Sequence, residues 1–151
     1  MDLQVDDRAL IGDLVVAYAY AVDERNWEAF EALFTREARI DYRSAGGIAG
    51  TPAEVAAWMP QAMSSFSWTL HSMSTHRLRL TDEDTATGKL HVFARHGLTW
   101  EGTTELMDVS AVYHDQYFRT SAGWKFAARR EETLTITGGR FAELVSARIR
   151  R

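Results

Sequence analysis

Ala86-Thr87-Gly88-Lys89-Leu90-His91-Val92-Phe93-Ala94-Arg95-His96 alternates along its whole length and reads as a β-strand with two unlike faces. Side chains two apart on a strand share a face. Ala86, Gly88, Leu90, Val92, Ala94 and His96 make one face, small and apolar, with an imidazole riding on it. Lys89, His91, Phe93 and Arg95 make the other, so His91 is read as exposed. The first face lines an interior. Before this strand, Asp82-Glu83-Asp84 is a turn, and the chain from Trp68 onward is β. There His71 and the face of His76, Leu78 and Leu80 have opposite parity, which calls for a bulge or break within Ser72 to Thr75. After it, a loop at Glu101-Gly102 leads to a strand over Glu105–Arg119. Ser121-Ala122-Gly123 turns the chain into a last strand ending at Gly138-Gly139. In that strand Trp124, Phe126 and Ala128 are read as one face, and Lys125, Ala127 and Arg129 as the other. Phe141–Ile149 reads as a short helix carrying Phe141, Leu144 and Val145.

The first half is helical. Leu10, Ile11, Leu14, Tyr18 and Ala21 recur at spacings of three and four after a capping Asp6 or Asp7. Asn26 caps a short second helix whose Trp27, Phe30, Leu33 and Phe34 share a face. Ala38 to Arg43 alternates again, with Ala38, Ile40 and Tyr42 inward, and Ser44 to Gly50 is a loop. Thr51-Pro52-Ala53-Glu54 is a capping box with proline at the first helical position, and it opens a third helix with Val55, Trp58, Met59 and Ala62 inward. Helices first and strands after argue for α+β with segregated layers: three N-terminal helices on a strongly curved, mostly antiparallel sheet. The apolar hollow of such a cone suits a small ligand. Phe34, Trp58, Met59, Leu90 and Val92 are its expected ligand-binding wall.

Bulk numbers narrow the class. The 151 residues fit one domain, 1–151, with 46% hydrophobic and 25% charged residues. A net charge of -4 offers no basic stripe for nucleic acid, and the absence of cysteine excludes disulfides and thiolate chemistry. The longest apolar run, Leu14 to Val22, is too short to span a bilayer, and the acidic start, Met1 to Asp7, is the wrong sign for an address signal. The expectation is a soluble cytoplasmic protein with no membrane or nucleic-acid partner. Five Trp, five Tyr and seven Phe suggest an aromatic-lined cavity as readily as a well-packed core.

Asp23 ends the first apolar helix, where the last carbonyls disfavour an anion. The plain reading is a solvated helix end or a cap for the next helix; the functional one is a carboxylate orienting an imidazole at the cavity. His71 is the candidate partner, since a carboxylate on one ring nitrogen frees the other for proton transfer. Tyr42 and Tyr18 lie on apolar faces, where a phenol can donate to a carbonyl gaining negative charge. His96 has the separate argument of its strand face. His71 with His76, and His91 with His96, have opposite strand parity, so no metal site is expected. No phosphate loop and no Gly-x-Ser-x-Gly elbow is present.

Taken in order, Tyr18-Ala-Tyr-Ala-Val-Asp23-Glu-Arg-Asn-Trp27, Arg39-Ile-Asp-Tyr42-Arg-Ser44, Thr51-Pro-Ala-Glu-Val55, Thr69-Leu-His71 and Gly123-Trp-Lys-Phe-Ala127 resemble the scytalone dehydratase branch of the SnoaL-like, NTF2-like superfamily. The resemblance covers roughly residues 7–131. It implies an NTF2-like cone, a homo-oligomer (dimer or trimer), and cofactor-free elimination of water from a cyclic hydroxy ketone. By the same resemblance Asp23 and His71 match the acid/base pair, Tyr42 the tyrosine that polarises the carbonyl through a water, and His96 the second histidine. Val22 stands where fungal members carry a second tyrosine, and Ser110, His114 and Asp115 are all candidates for the polar pair of the following strand. Tyr18 with Asp23 and His71 is similar instead to the set of bacterial bile-acid dehydratases. A polyketide cyclase, a ketosteroid-type isomerase and a non-catalytic binding module are the rival readings.

Overall fold

The capping box at Thr51 forms in full: its hydroxyl accepts from the Glu54 N–H while the Glu54 carboxylate accepts from the Thr51 N–H. A computed structural model describes residues 5–151; the expectation drawn from Met1 to Gln4 lies outside them. In chain order the elements are α1 (Val5–Asp23), α2 (Trp27–Ala32), β1 (Phe34–Asp41), a 3-10 turn (Arg43–Ala45), β2 (Ala49–Gly50), α3 (Pro52–Ala62), β3 (Trp68–Asp82), β4 (Thr85–Trp100), β5 (Thr103–Thr120), β6 (Gly123–Gly138) and α4 (Arg140–Ile149). The sheet order is β2-β1-β6-β5-β4-β3. Among the described residues only the β1–β6 pair is parallel. The helices pack on its concave side, and residues such as Ile11, Phe30, Val55, Leu90 and Phe126 form the sealed core between them. Among the described residues no helix is long and apolar enough to cross a membrane.

Three expectations are corrected. Asp6 and Asp7 already lie in the first turn of α1; Asp7 is buried and accepts from Arg119 and the Trp124 indole. Phe34 leaves the helix: Asn26 caps α2 as expected, but Leu33 ends it and Phe34 opens β1. Tyr42 is buried on the inner side as read, one residue beyond the end of β1.

The largest correction concerns β6. Gln116 pairs with Ala128 whereas Tyr117 pairs with Phe126, so Ala127 is an extra residue bulged out of the ladder. Parity flips there, because two neighbours of a strand face opposite ways. Trp124 and Phe126 face in before the bulge, and Arg129, expected outside, faces in after it and is fully buried. A second shift leaves Leu134 unpaired and exposed and turns Ile136 inward. The bulge expected in β3 lies between Ser74 and Arg77, with Thr75 in the left-handed region at φ 50°. It brings His71 and His76 onto the same face.

Candidate functional site

The end of α1 explains how an aspartate is tolerated there. The Asn26 N–H donates to the Ala21 carbonyl and the Arg25 N–H to the Val22 carbonyl, with Arg25 at φ 60°: a Schellman ending. Left-handed backbone turns the Arg25 side chain back over the helix end. Its guanidinium donates to the Val22 carbonyl and to the Thr69 hydroxyl, both at 2.9 Å. The cation that the helix C-terminus calls for is therefore supplied by Arg25, two residues past Asp23.

Asp23 is saturated with donors. Its Oδ1 accepts from the Thr69 hydroxyl at 2.8 Å and from His71 Nδ1 at 2.7 Å, and its Oδ2 accepts from the His71 backbone N–H at 2.9 Å. Burial pushes its pKa up, but the His71 ring and backbone bonds and the Thr69 bond outweigh burial and hold it below the usual value. An ionised carboxylate on Nδ1 fixes the tautomer with the proton on Nδ1 and leaves Nε2 as the free nitrogen of His71.

His71 forms part of the wall of a cavity of about 370 Å³ enclosed by α1, α3, α4 and the concave sheet. Beside it, with ring centroids 6.0 Å apart, His96 sends Nδ1 to the Met107 carbonyl at 3.1 Å. A carbonyl can only accept, so His96 carries its proton on Nδ1. Burial, then the neighbouring His71 and Arg25, push its pKa down to about 4, and it is neutral at physiological pH. Farther in, Tyr18 and Tyr42 share a hydrogen bond of 2.6 Å between hydroxyls, and Tyr113 lies 3.5 Å from the Tyr18 hydroxyl. Burial raises the pKa of all three phenols, so each keeps its proton. Gly47 permits this corner: a Cβ there would stand 2.9 Å from the Tyr42 Cβ and 3.0 Å from the Trp58 ring.

Of the residues read from sequence, Tyr18, Tyr42, His71, His96, Trp58, Met59 and Val92 line this one cavity. Asp23 stands behind His71 and borders a smaller hollow on the outside with Val16, Tyr20, Leu70 and Met73. Phe34 and Leu90 do not line the cavity; they pack in the sealed core, Phe34 against Phe30 and Phe126. Among the three candidates on β5, Asp115 is buried against Arg129, His114 faces outward to Glu132, and Ser110 does not reach the cavity. Their neighbour Tyr113 does.

Sequence reading missed Tyr113, Thr69 and Arg25 as members of the site, and Glu131, which also lines the cavity. A basic residue just past a helix end was the available signal for Arg25. The β6 bulge hid Glu131.

Beneath the phenols lies a sealed ion pair. Arg129 donates to both oxygens of Asp115, at 2.8 and 2.7 Å, and its guanidinium sits 4.1 to 4.2 Å from the ring centres of Tyr18, Tyr113 and Phe126. The Tyr117 hydroxyl donates to Asp115, and His76 bonds the Tyr117 oxygen.

Residues 4–130 match the SnoaL-like domain, and the chain belongs to that family. An uncharacterised protein of Mycobacterium tuberculosis is 30% identical over 129 residues, covering 85% of this chain and 86% of that protein. A scytalone dehydratase-like protein from Novosphingobium aromaticivorans superposes with a TM-score of 0.77 at 22% identity, covering 88% of this chain and 87% of its own. A hexachlorocyclohexane dehydrochlorinase superposes with a TM-score of 0.78 at 23% identity, covering 89% and 90%. The architecture is thus the NTF2-like cone.

Proposed function

We propose that the chain is a cofactor-independent lyase that eliminates water from a cyclic hydroxy ketone of polyketide or steroid type. The observation that carries this reading is the Asp23–His71 contact at 2.7 Å, with the imidazole on the wall of a largely apolar cavity. His71 Nε2 removes the proton α to the ketone carbonyl, and the C–H electrons move onto the carbonyl oxygen as an enolate. Tyr42 or Tyr18 donates to that oxygen; since the two share one hydrogen bond, one O–H of the pair is left for the ligand. The enolate then collapses, the β C–O bond breaks, and the proton taken by His71 leaves with the hydroxyl as water. His96, neutral with a lone pair on Nε2, orients the departing hydroxyl.

General acid–base catalysis contributes ~10²–10⁴-fold and a well-aimed oxyanion donor a further ~10²–10³-fold. Together these suffice for a β-elimination activated by a carbonyl. A dehydrochlorinase is by its name also an eliminating enzyme, and its fold is this one. A cyclase or isomerase would use the same enolate, and product mass separates elimination from both: loss of one water against no change. A binding module has no need of an imidazole braced by three donors on its carboxylate. Leu70, Phe93 and Leu106, exposed on the outer side of the sheet, fit a homo-oligomeric assembly, which light scattering after gel filtration would test.

The test is a screen of cyclic hydroxy ketones for products lighter by one water, repeated with His71→Ala and Asp23→Asn. Both variants should fold and lose turnover. Near-full activity in either one would sink the reading.

A further inference from the structure

Glu131 has no part in the scheme above, yet it shares the cavity wall. Across β5 it stands in register with Tyr113, and its preceding neighbour Arg130 is in register with Asp41, which brings Tyr42 alongside it. The carboxyl thus sits within the phenol corner, at the far end of the cavity from His71. Its own partners are few. Thr133 gives it one long hydrogen bond of 3.3 Å. Ser44, close by, spends its hydroxyl on the Glu131 backbone carbonyl.

The nearby cations are committed or remote. Arg129, next inward residue on the strand, is held bidentate by Asp115, and Arg43 is held by Asp41. Arg148 borders the cavity from α4 at its exposed rim. The phenols of Tyr18, Tyr42 and Tyr113 stay protonated, and His71 and His96 lie at the other end. Burial therefore pushes the Glu131 carboxyl up to about 7, with Thr133 and Arg129 offsetting only part of it.

We propose that Glu131 selects the ligand, donating a hydrogen bond to a carbonyl oxygen when protonated and accepting one from a ligand hydroxyl when ionised. A carboxyl that is half-buried at a cavity wall with a single weak donor has an unfilled hydrogen-bonding capacity aimed at whatever enters. The phenols are partly spent on one another, so the acid form adds a donor to the one O–H that the Tyr18–Tyr42 pair leaves for the ligand. The proposal rests on the same cavity being the ligand site, as in the function proposed above, but not on the Asp23–His71 chemistry.

Calorimetric binding of 1-tetralone, which only accepts, and of 2-naphthol, which donates, tests it without any turnover. If the acid form binds the ketone, 1-tetralone affinity falls about tenfold between about pH 6 and about pH 8, following the protonated fraction. Affinity for 2-naphthol rises over the same range. Glu131→Gln should make both profiles flat, whereas His71→Ala should keep the ketone profile. Carbon NMR of glutamate-labelled wild type supplies a second readout that needs no variant. One carboxyl midpoint near neutrality should move up with 1-tetralone and down with 2-naphthol. A ketone profile that is flat in the wild type or unchanged in Glu131→Gln, an unmoved midpoint, or binding of neither probe overturns the proposal. Flat binding with turnover intact leaves the elimination reading standing; pH-dependent binding with no turnover leaves this one standing.

Discussion

Asp115–Arg129 and Asp23–His71 are both carboxylates bonded to a nitrogen cation or base, and both sit under the same sheet, yet they differ in what can reach them. Both side chains of the first pair are 0% exposed, whereas those of the second are 17% and 9% exposed, with the cavity on one side and a surface hollow on the other. Arg129 is held by two bonds to Asp115 and by three aromatic rings around its guanidinium, and its Nη1, without a hydrogen-bond partner among the described residues, is sealed from any ligand. His71 is held by one nitrogen and open at the other. A paired charge is structural when the pairing consumes it, and available for chemistry when the pairing only orients it.

The largest expected effect comes from breaking the sealed pair. Arg129→Ala leaves Asp115 charged and unpaired, and should cost about 3–5 kcal/mol of stability in urea titrations. Replacing both partners, as Asp115→Leu with Arg129→Met, should recover most of that loss. If the single and double variants were equally unstable, the pair would matter for packing alone. Asp23→Asn tests the opposite member. It should lower turnover by ~10²–10⁴-fold while shifting the urea midpoint far less than Arg129→Ala does. A variant that unfolds instead would erase the contrast.

Next come two groups of opposite sign in the cavity. The folded pKa of His96, about 4, lies below its ordinary 6.5, so the unfolded chain takes up a proton that the folded chain refuses, and stability is lost as pH falls through that window. Glu131 is the reverse: its folded pKa, about 7, lies above 4.5, so the folded chain keeps a proton that the unfolded chain sheds, and stability is lost as pH rises. In the overlap, from about pH 4.5 to about pH 6.5, the two slopes cancel in the wild type. Glu131→Gln should unmask a loss of roughly 1.4 kcal/mol per pH unit on acidification, and His96→Asn a gain of the same size. Urea midpoints at two pH values within that range decide it. The smallest effect is at the support of the open pair: Thr69→Val removes one bond to Asp23 worth about 1 kcal/mol, so turnover should drop about fivefold with kcat changing more than KM.

Local signals were legible and long-range ones were not. Thr51 to Glu54 names its own helix start, and β4 names its own inner face, because both are set by residues within a few positions of each other. The nearness of Asp23 and His71 could be read only through the family's motif order, since nothing local joins the end of α1 to β3. Arg129 and Glu131 were misread or passed over for a physical reason. Strict alternation through Ala127 puts them outside, and where a strand bulges depends on its partner's register, which one strand's sequence does not contain. Phe34 failed differently: it satisfies a helix face and a strand face equally, and the helix had already ended at Leu33.

The unpaired Ala127 acts as a phase switch for the interior. Between it and the second slip at Leu134, β6 shows the cavity side Arg129, Glu131 and Thr133; were Ala127 drawn into the ladder, the same stretch would show it Ala128, Arg130 and Glu132 instead. Flattening that bulge would thus replace a buried cation, a cavity carboxyl and a hydroxyl in a single step, and Leu134, joining the ladder in turn, would restore the frame before Ile136. In this strand a single residue outside the ladder selects which of two interleaved sets of side chains the interior receives.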